Sequence, residues 1–450
     1  MQIKDLTVGG IGKSLFFLSM PIISASFIQM TYNLIDMFWI GHYSAIAVAA
    51  IGAAAFYAWM SSALSLITKV GVEVCVSQSV GSNDRALAHS YANIGVIVTL
   101  IFGALFASTL WLFAPEAMGF FGVDEVVRDE GAKYLRWIAP GFLFGFANQL
   151  FSGLYNAIGN SKPPFRINAL GLITNIVLDP LFIYGWGVVP EMGLKGAALA
   201  TSISQGLVFS LFAYRFFSSK SPIGPLSILT SFVNRRAVKL IYTGLPVGAQ
   251  NLIFCIISMF VAQFAASFGS VGIAAYGVGA QIEAITWMSA NGFATALCAF
   301  VGQNYGAGKY ERIHRGYRFA LSVAILMTSL VAIAFASSGE FIFSFFVDDI
   351  ETAMEGGRYL RINSFAQIFM ALEIVSAGAF NGLGRTSLPA SVSLIFNSLR
   401  IPIAYFLANT MGMGVDGVWW SIAISPLMKG SLLTILYLRH TSKIIKSNLE

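Results

Sequence analysis

A chain of 450 residues with 56% hydrophobic and only 11% charged residues, and a mean hydropathy of +0.74, is not built for water, because soluble domains carry about 25% charged residues. The net charge of +6 does not point to nucleic acid, since the basic residues are scattered through short loops between long uncharged runs. Cys75, Cys255 and Cys298 lie in apolar segments without C-x-x-C spacing and the four histidines are dispersed, so neither a disulfide set nor a metal centre follows. No His, Cys or Ser–base constellation suggests an enzyme, and no cofactor is expected.

Taken in chain order, Lys4 and Lys13 precede an apolar run too long for a signal-peptide core, which is therefore read as the first span. The Gly9–Ser14 stretch lacks the first glycine of a phosphate loop, having Thr7 there, and no strand precedes it. A bilayer crossing needs about 20 apolar residues. Uncharged runs then predict spans near 14–40, 44–72, 89–114, 133–158, 164–187 and 194–215, followed by 240–267, 272–300, 315–338, 357–383, 388–410 and 415–438. The expected fold is an all-α polytopic membrane protein with about twelve transmembrane helices. The connection 217–236 divides a first half, 1–216, from a second, 237–450.

Basic residues such as Arg85, Lys162, Arg166, Arg235, Arg236, Lys309, Arg312 and Arg439 fall on the side that holds both termini. The opposite loops offset their few cations with Asp124, Glu125, Asp129, Glu130, Asp348 and Asp349. The positive-inside rule makes the termini cytoplasmic.

The two halves repeat each other. An offset of 225 residues lays Pro21 on Pro246, Gln78 on Gln303, Gly81 on Gly306, Tyr134-Leu135-Arg136 on Tyr359-Leu360-Arg361, Asn156 on Asn381 and Pro164 on Pro389. It slips to 222 at Asn175/Asn397 and Pro180/Pro402, then to 221 at Gly193/Gly414 and Gly196/Gly417. Two parallel six-helix bundles follow, a plan that transporters use with a site between or within the halves. Pro21, Pro180, Pro246 and Pro402 lie within apolar helices, where proline removes a backbone hydrogen bond and favours a bend.

Polar residues inside the spans are the candidate site. Asp36 is alone in its uncharged run, and an aspartate at mid-membrane costs about 2.5–3.5 kcal/mol on insertion scales. Gln29, Tyr32, Asn33 and Asp36 share one helix face by their i, i+3, i+4, i+7 spacing. Asp179 precedes Pro180, with Asn175 one turn earlier, and Thr201 and Ser204 follow the small run Gly196-Ala197-Ala198. The repeat fails here in an instructive way, because Asp36 has Val261 as its mate and Asp179 has Ile401. Acids needed only for shared architecture would have polar mates. Two adjacent carboxylates in low dielectric call for a proton or a monovalent cation.

Other intramembrane charges read as structural pairs. Lys69 and Glu73 are an expected i, i+4 ion pair, and Arg400 is expected to pair with Glu283 or Glu373, Glu283 keeping a secondary coupling role as an option. Phe56, Phe146 and Met288 supply helix packing or a lipophilic pocket, alongside Gln29, Tyr32 and Asn33.

With these residues in place, the chain resembles the multidrug and toxic compound extrusion (MATE) family over essentially its whole length. The resemblance rests on Leu18-Ser19-Met20-Pro21, Asn33-Leu34-Ile35-Asp36 with Ile40-Gly41, Val76-Ser77-Gln78 with Gly81, Val301–Gly308, and Asp179-Pro180. It implies two six-helix bundles in a V and export of organic cations and drugs against H⁺ or Na⁺. It also implies a cation site on Asp36, Asn175, Asp179 and Thr201, which would be metal ligands only if Na⁺ binds. The seventh-helix acid of the NorM-like branch has no counterpart in Leu245–Phe254, so the chain is more similar to the DinF-like branch, which implies proton coupling through Asp36.

The expected function is therefore secondary antiport of small lipophilic, often cationic compounds by a monomer in contact with membrane lipids of the inner membrane. The alternative is a flippase for lipid-linked cargo. Its phosphates would favour several buried arginines, and Arg400 stands nearly alone.

Overall fold

A computed structural model describes residues 3–187, 189–219, 221–227 and 234–447, apart from the side chains of Asn33, Lys446 and Ser447. The described residues are almost wholly helical, with a lone β-bridge between Trp186 and Val189. In order the elements are α1 (Ile11–Tyr43), α2 (Ala45–Gly81), α3 (Arg85–Leu112), the short α4 (Ala114–Gly119), α5 (Glu125–Ala157), α6 (Lys162–Tyr184) and α7 (Leu194–Phe217). They continue as α8 (Asn234–Ala266), α9 (Ser270–Gly306), α10 (Tyr310–Ser344), α11 (Ile350–Asn363), α12 (Ala366–Gly382), α13 (Ser387–Ser398), α14 (Arg400–Tyr405), a π-helical turn Phe406–Thr410, and α15 (Val415–Ser447).

Nine of these helices are long and apolar enough to cross a membrane, α13, α14 and the π-helical turn together make a tenth span, Ser387–Thr410, and the pair α11–α12, bent by 55°, would make an eleventh. The predicted span 133–158 falls in α5, which is long enough but is not among them. Its first turns hold Glu125, Arg128, Asp129, Glu130, Lys133 and Arg136, and farther along it buries Asn148, whose amide donates to the Gln205 carbonyl at 3.0 Å and to its side chain at 2.8 Å. A helix shielded by its neighbours can carry such polar groups.

Helix boundaries recur at the sequence offset. Helix starts at 45, 85, 125 and 162 return at 270, 310, 350 and 387, and ends at 81 and 157 return at 306 and 382. Turn chemistry diverges at these matched points. Asp84 caps α3 by accepting from the Leu87 amide at 2.8 Å, while Lys309 stands at the start of α10 without a side-chain cap. Pro140 lies inside the continuous α5, yet its counterpart region is interrupted at Ser364–Phe365, between α11 and α12.

Pro21, Pro180 and Pro246 sit inside α1, α6 and α8 as expected. Pro402 also lies within one span, Ser387–Thr410, whose helix is interrupted for the single residue Leu399 and closes in the π-helical turn. A proline withholds the amide that the preceding turn needs, and the π turn accommodates the shift.

The chain divides into two compact units. One comprises residues 1–5 and Ser24–Gly248, the other Leu6–Ile23 and Ala249–Glu450. In the first, Phe151 stacks on Phe212 at 5.7 Å and on Phe216 at 5.2 Å, within a core that includes Val72, Leu150, Leu154 and Leu240. In the second, Tyr317 and Tyr437 pack at 4.2 Å beside Leu297, Phe300 and Phe380. The Gln303-Asn304 motif explains itself there. Gln303 Oε1 accepts from the Leu6 amide at 2.9 Å, Asn304 donates to the Leu6 carbonyl at 3.2 Å, and Arg312 donates to the Leu6 and Val8 carbonyls at 3.2 and 2.9 Å. Part of the predicted connector, 228–233, lies outside the described residues. Its earlier part is held to α3, where the Ser227 amide donates to Asn93 at 2.8 Å.

Candidate functional site: a buried two-carboxylate cluster

Close packing of α6 on α7 builds the floor of the site. A Cβ on Gly196 would run into the Phe182 carbonyl, and one on Gly171 into Val208. The small residues let the two backbones approach, as in membrane helix pairs generally. That approach sets Thr201 and Ser204 of α7 against the polar stripe of α6. On that stripe the Asn175 amide donates to Asp179 Oδ1 at 3.0 Å, one helical turn apart, and both residues are completely buried.

Asp36 of α1 completes the cluster. Its carboxyl lies beside Asp179, Asn175 and Thr201, and the Tyr32 hydroxyl lies beside Thr201 and Ser204. Tyr134 of α5 is close enough to feel the charge of both carboxylates. The hydrogen-bond accounting is incomplete in one place. Asp36 Oδ1, Asp179 Oδ2, Asn175 Oδ1, the Tyr32 hydroxyl and Ser204 Oγ are all buried without a protein partner. Most buried polar atoms in native proteins are satisfied. Here acceptors from three side chains converge with too few donors among them.

Asp36, Asn175, Asp179 and Thr201, named from the sequence, are thus brought together, with Tyr32 beside them. Gln29, on the same nominal face, is exposed, and the Asn33 side chain lies outside the described set. Phe146 is buried in the core against Phe106 at 5.8 Å, and Phe56 packs edge-on to Phe121 at 5.9 Å. Met288 is half-buried on α9. Sequence reasoning did not single out Tyr134 for the site. Its position in the Tyr-Leu-Arg repeat was visible, but its approach to Asp36 depends on how α5 packs.

The other buried charges depart from expectation. Lys69 donates to Gln149 Oε1 at 2.9 Å and makes no ion pair with Glu73, whose Oε1 is left without a partner. In the second unit the ion pair is Lys429–Glu373, at 2.9 Å, and does not involve Arg400. Lys429 also donates to Asn397 at 2.8 Å, and Ser393 donates to Glu373 at 2.9 Å. Glu283 accepts from the Tyr359 hydroxyl at 2.9 Å and from Gln367 at 2.8 Å. Lys429 outcompetes Arg400 because α12 and α15 are packed partners, whereas Arg400 lies past the break at Leu399. Among the described residues no group of three or more His, Cys, Asp or Glu side chains gathers as a metal site.

Carboxylates held in the interior of a helical membrane fold are costly and mark functional sites, ion and substrate paths among them. The MatE family model matches residues 21–181 and again 246–406, so the chain belongs to the MATE family of membrane transporters and is not an enzyme. The two matches are displaced by the same 225 residues as the sequence repeat. Among curated proteins it is similar to "Probable multidrug resistance protein NorM" of Thermotoga maritima, at 22% identity over 95% of this chain and 92% of that one. It is similar also to "Probable multidrug resistance protein YpnP" of Bacillus subtilis, at 27% identity over 98% and 97% of the two chains. A solved structure titled "Crystal structure of MATE in the bent conformation" superposes with a TM-score of 0.93, at 22% identity and over 100% of both chains.

Proposed function

We propose that this chain is a secondary antiporter that exports small lipophilic, often cationic, organic compounds in exchange for H⁺, with Asp36 as the coupling carboxylate. The observation that carries the reading is the donor deficit at Asp36 and Asp179. Two facing carboxyl groups each keep a buried oxygen without a donor, and one incoming proton between them would relieve both repulsion and deficit. The same oxygen-rich set could hold Na⁺, since hard cations prefer oxygen ligands, but it offers hydroxyl neighbours suited to relaying a proton. The multidrug names of the relatives agree with a lipophilic cargo.

Protonation would bias two arrangements of α1 by changing what its polar face binds on α6 and α7. A ligand drives such a change only through different affinity for the two states. The absence of a carboxylate in Leu245–Phe254 favours the DinF-like branch. The loop distribution of Lys and Arg supports cytoplasmic termini in an inner membrane, and the halves 1–216 and 237–450 are the proposed transport lobes.

The test is ethidium flux in proteoliposomes with pH and Na⁺ gradients imposed separately. A pH gradient should drive wild-type export, and Asp36→Asn should abolish that drive while leaving the protein folded. Ethidium flux that is insensitive to Asp36→Asn at every pH would remove the mechanism.

A further inference from the structure

Arg400 is a half-buried cation within the span Ser387–Thr410, and among the described residues its guanidinium makes no hydrogen bond or ion pair. Its Nε is buried without a hydrogen bond, and among the described residues no carboxylate lies within ion-pair distance of it. The nearby acids are engaged elsewhere. Glu373 is bound by Lys429 at 2.9 Å and by Ser393, while both oxygens of Glu283 accept from Tyr359 and Gln367. Glu373, Tyr276, Tyr359 and Glu283 are near enough to act on Arg400 electrostatically, so it is surrounded by polar groups yet bonded to none. The Phe254 ring lies 5.5 Å from its guanidinium carbon, leaving the in-plane donors free.

The backbone marks the place as unusual too. Arg400 follows the one-residue interruption at Leu399 in the span Ser387–Thr410, which ends in the π-helical turn Phe406–Thr410. In the repeat, Arg400 occupies the position beside the mate of Asp179. The first unit has an acid next to its proline where the second has a base two residues before its own.

We infer that Arg400 is a recognition site for an oxyanion, a carboxylate or phosphate group, carried by a transported aromatic or lipophilic molecule. The planar fork of a guanidinium suits bidentate pairing with such a group, and Phe254 supplies an aromatic wall against which it would be held. An unpaired arginine in a bilayer is expensive, and an intermittent anionic partner accounts for its being kept. The inference rests on the transporter reading and deepens it. It adds acid-bearing substrates to a cargo otherwise defined by cationic character.

Binding to the purified full-length protein in detergent tests this without any ion gradient, using 2-naphthoate, 2-naphthyl phosphate and naphthylmethylammonium as matched probes. Saturable binding of at least one anion is expected. Arg400→Gln should weaken that binding at least tenfold and Arg400→Lys by less, because lysine keeps the charge but loses the fork. Ammonium binding should be unchanged in both. Preference for naphthoate or for the phosphate identifies the oxyanion. Absence of saturable anion binding in wild type, or equal anion affinity in Arg400→Gln, overturns the inference. If Arg400→Gln does not fold, the comparison passes to Arg400→Lys, where an affinity equal to wild type counts against it. Failure here with intact proton-driven ethidium export leaves the antiporter reading standing, and the reverse outcome separates the two in the other direction.

Discussion

The two units share helix boundaries but hold opposite electrostatic solutions in their interiors. In the first, Asp36 and Asp179 face each other with unpartnered oxygens. In the second, Glu373 is closed by Lys429 and Ser393, and Glu283 is closed by Tyr359 and Gln367. One interior keeps acid oxygens without partners and the other has its acids engaged. Duplicated architecture therefore does not require duplicated chemistry, because backbone packing depends on small and apolar positions while charge can change at single residues. The locked acids are structural by this comparison, and the open ones are the coupling candidates.

The sharpest way to break that contrast is to unlock the second unit. Lys429→Met should leave Glu373 buried without its counter-ion and lower stability by about 3–5 kcal/mol, seen as a fall in melting temperature in detergent. The double variant Lys429→Met with Glu373→Leu should recover most of that loss, because the stranded charge is gone. A full loss that the double variant fails to restore would point to a role beyond pairing.

Copying the acid into the matched position comes next. Val261, the mate of Asp36, is 2% exposed in an apolar core. Val261→Asp should cost about 2.5–3.5 kcal/mol without creating a second proton-coupled step, because Asp179, Tyr32 and Thr201 have Ile401, Ile257 and Ile422 as their mates there. Proton-to-substrate stoichiometry in proteoliposomes would check it.

A smaller effect is expected where α6 meets α7. Gly196→Ala puts a methyl group against the Phe182 carbonyl and should cost about 1–3 kcal/mol through overpacking. It should also weaken coupling by moving Thr201 away from Asp36, and normal coupling at reduced stability would separate the two effects.

The smallest lies outside the membrane segments. The Asp349 carboxyl is held below the usual carboxylate range by the Thr352 hydroxyl and then its amide, which donate at 2.6 and 2.9 Å. A depressed value means the cap contributes above the unfolded carboxylate pKa and loses that contribution as pH falls through the lower folded one. Protection of the amides at the start of α11, taken relative to their intrinsic exchange rate, should therefore fall at acid pH, and Asp349→Ala should lower it at neutral pH as well. Asp124, its counterpart 225 residues earlier, makes no side-chain cap bond.

Much of this was legible in the residues. Long uncharged runs can satisfy their backbone in lipid only as helices, so the helical membrane class followed from composition. The duplication followed from identities at one spacing, and Asp36, Asn175 and Asp179 stood out because acids and amides are costly in lipid. Packing decided the rest. Whether α5 counts as a span, that α11 and α12 bend by 55° despite the proline lying in the other half, and that Lys429 rather than Arg400 takes Glu373 all depend on which helices touch. Chain order assigns a charge to a segment, but the partner of a buried charge is set by distances of a few ångströms between segments far apart in sequence. That is why the polar inventory could be read from the chain and its pairing could not.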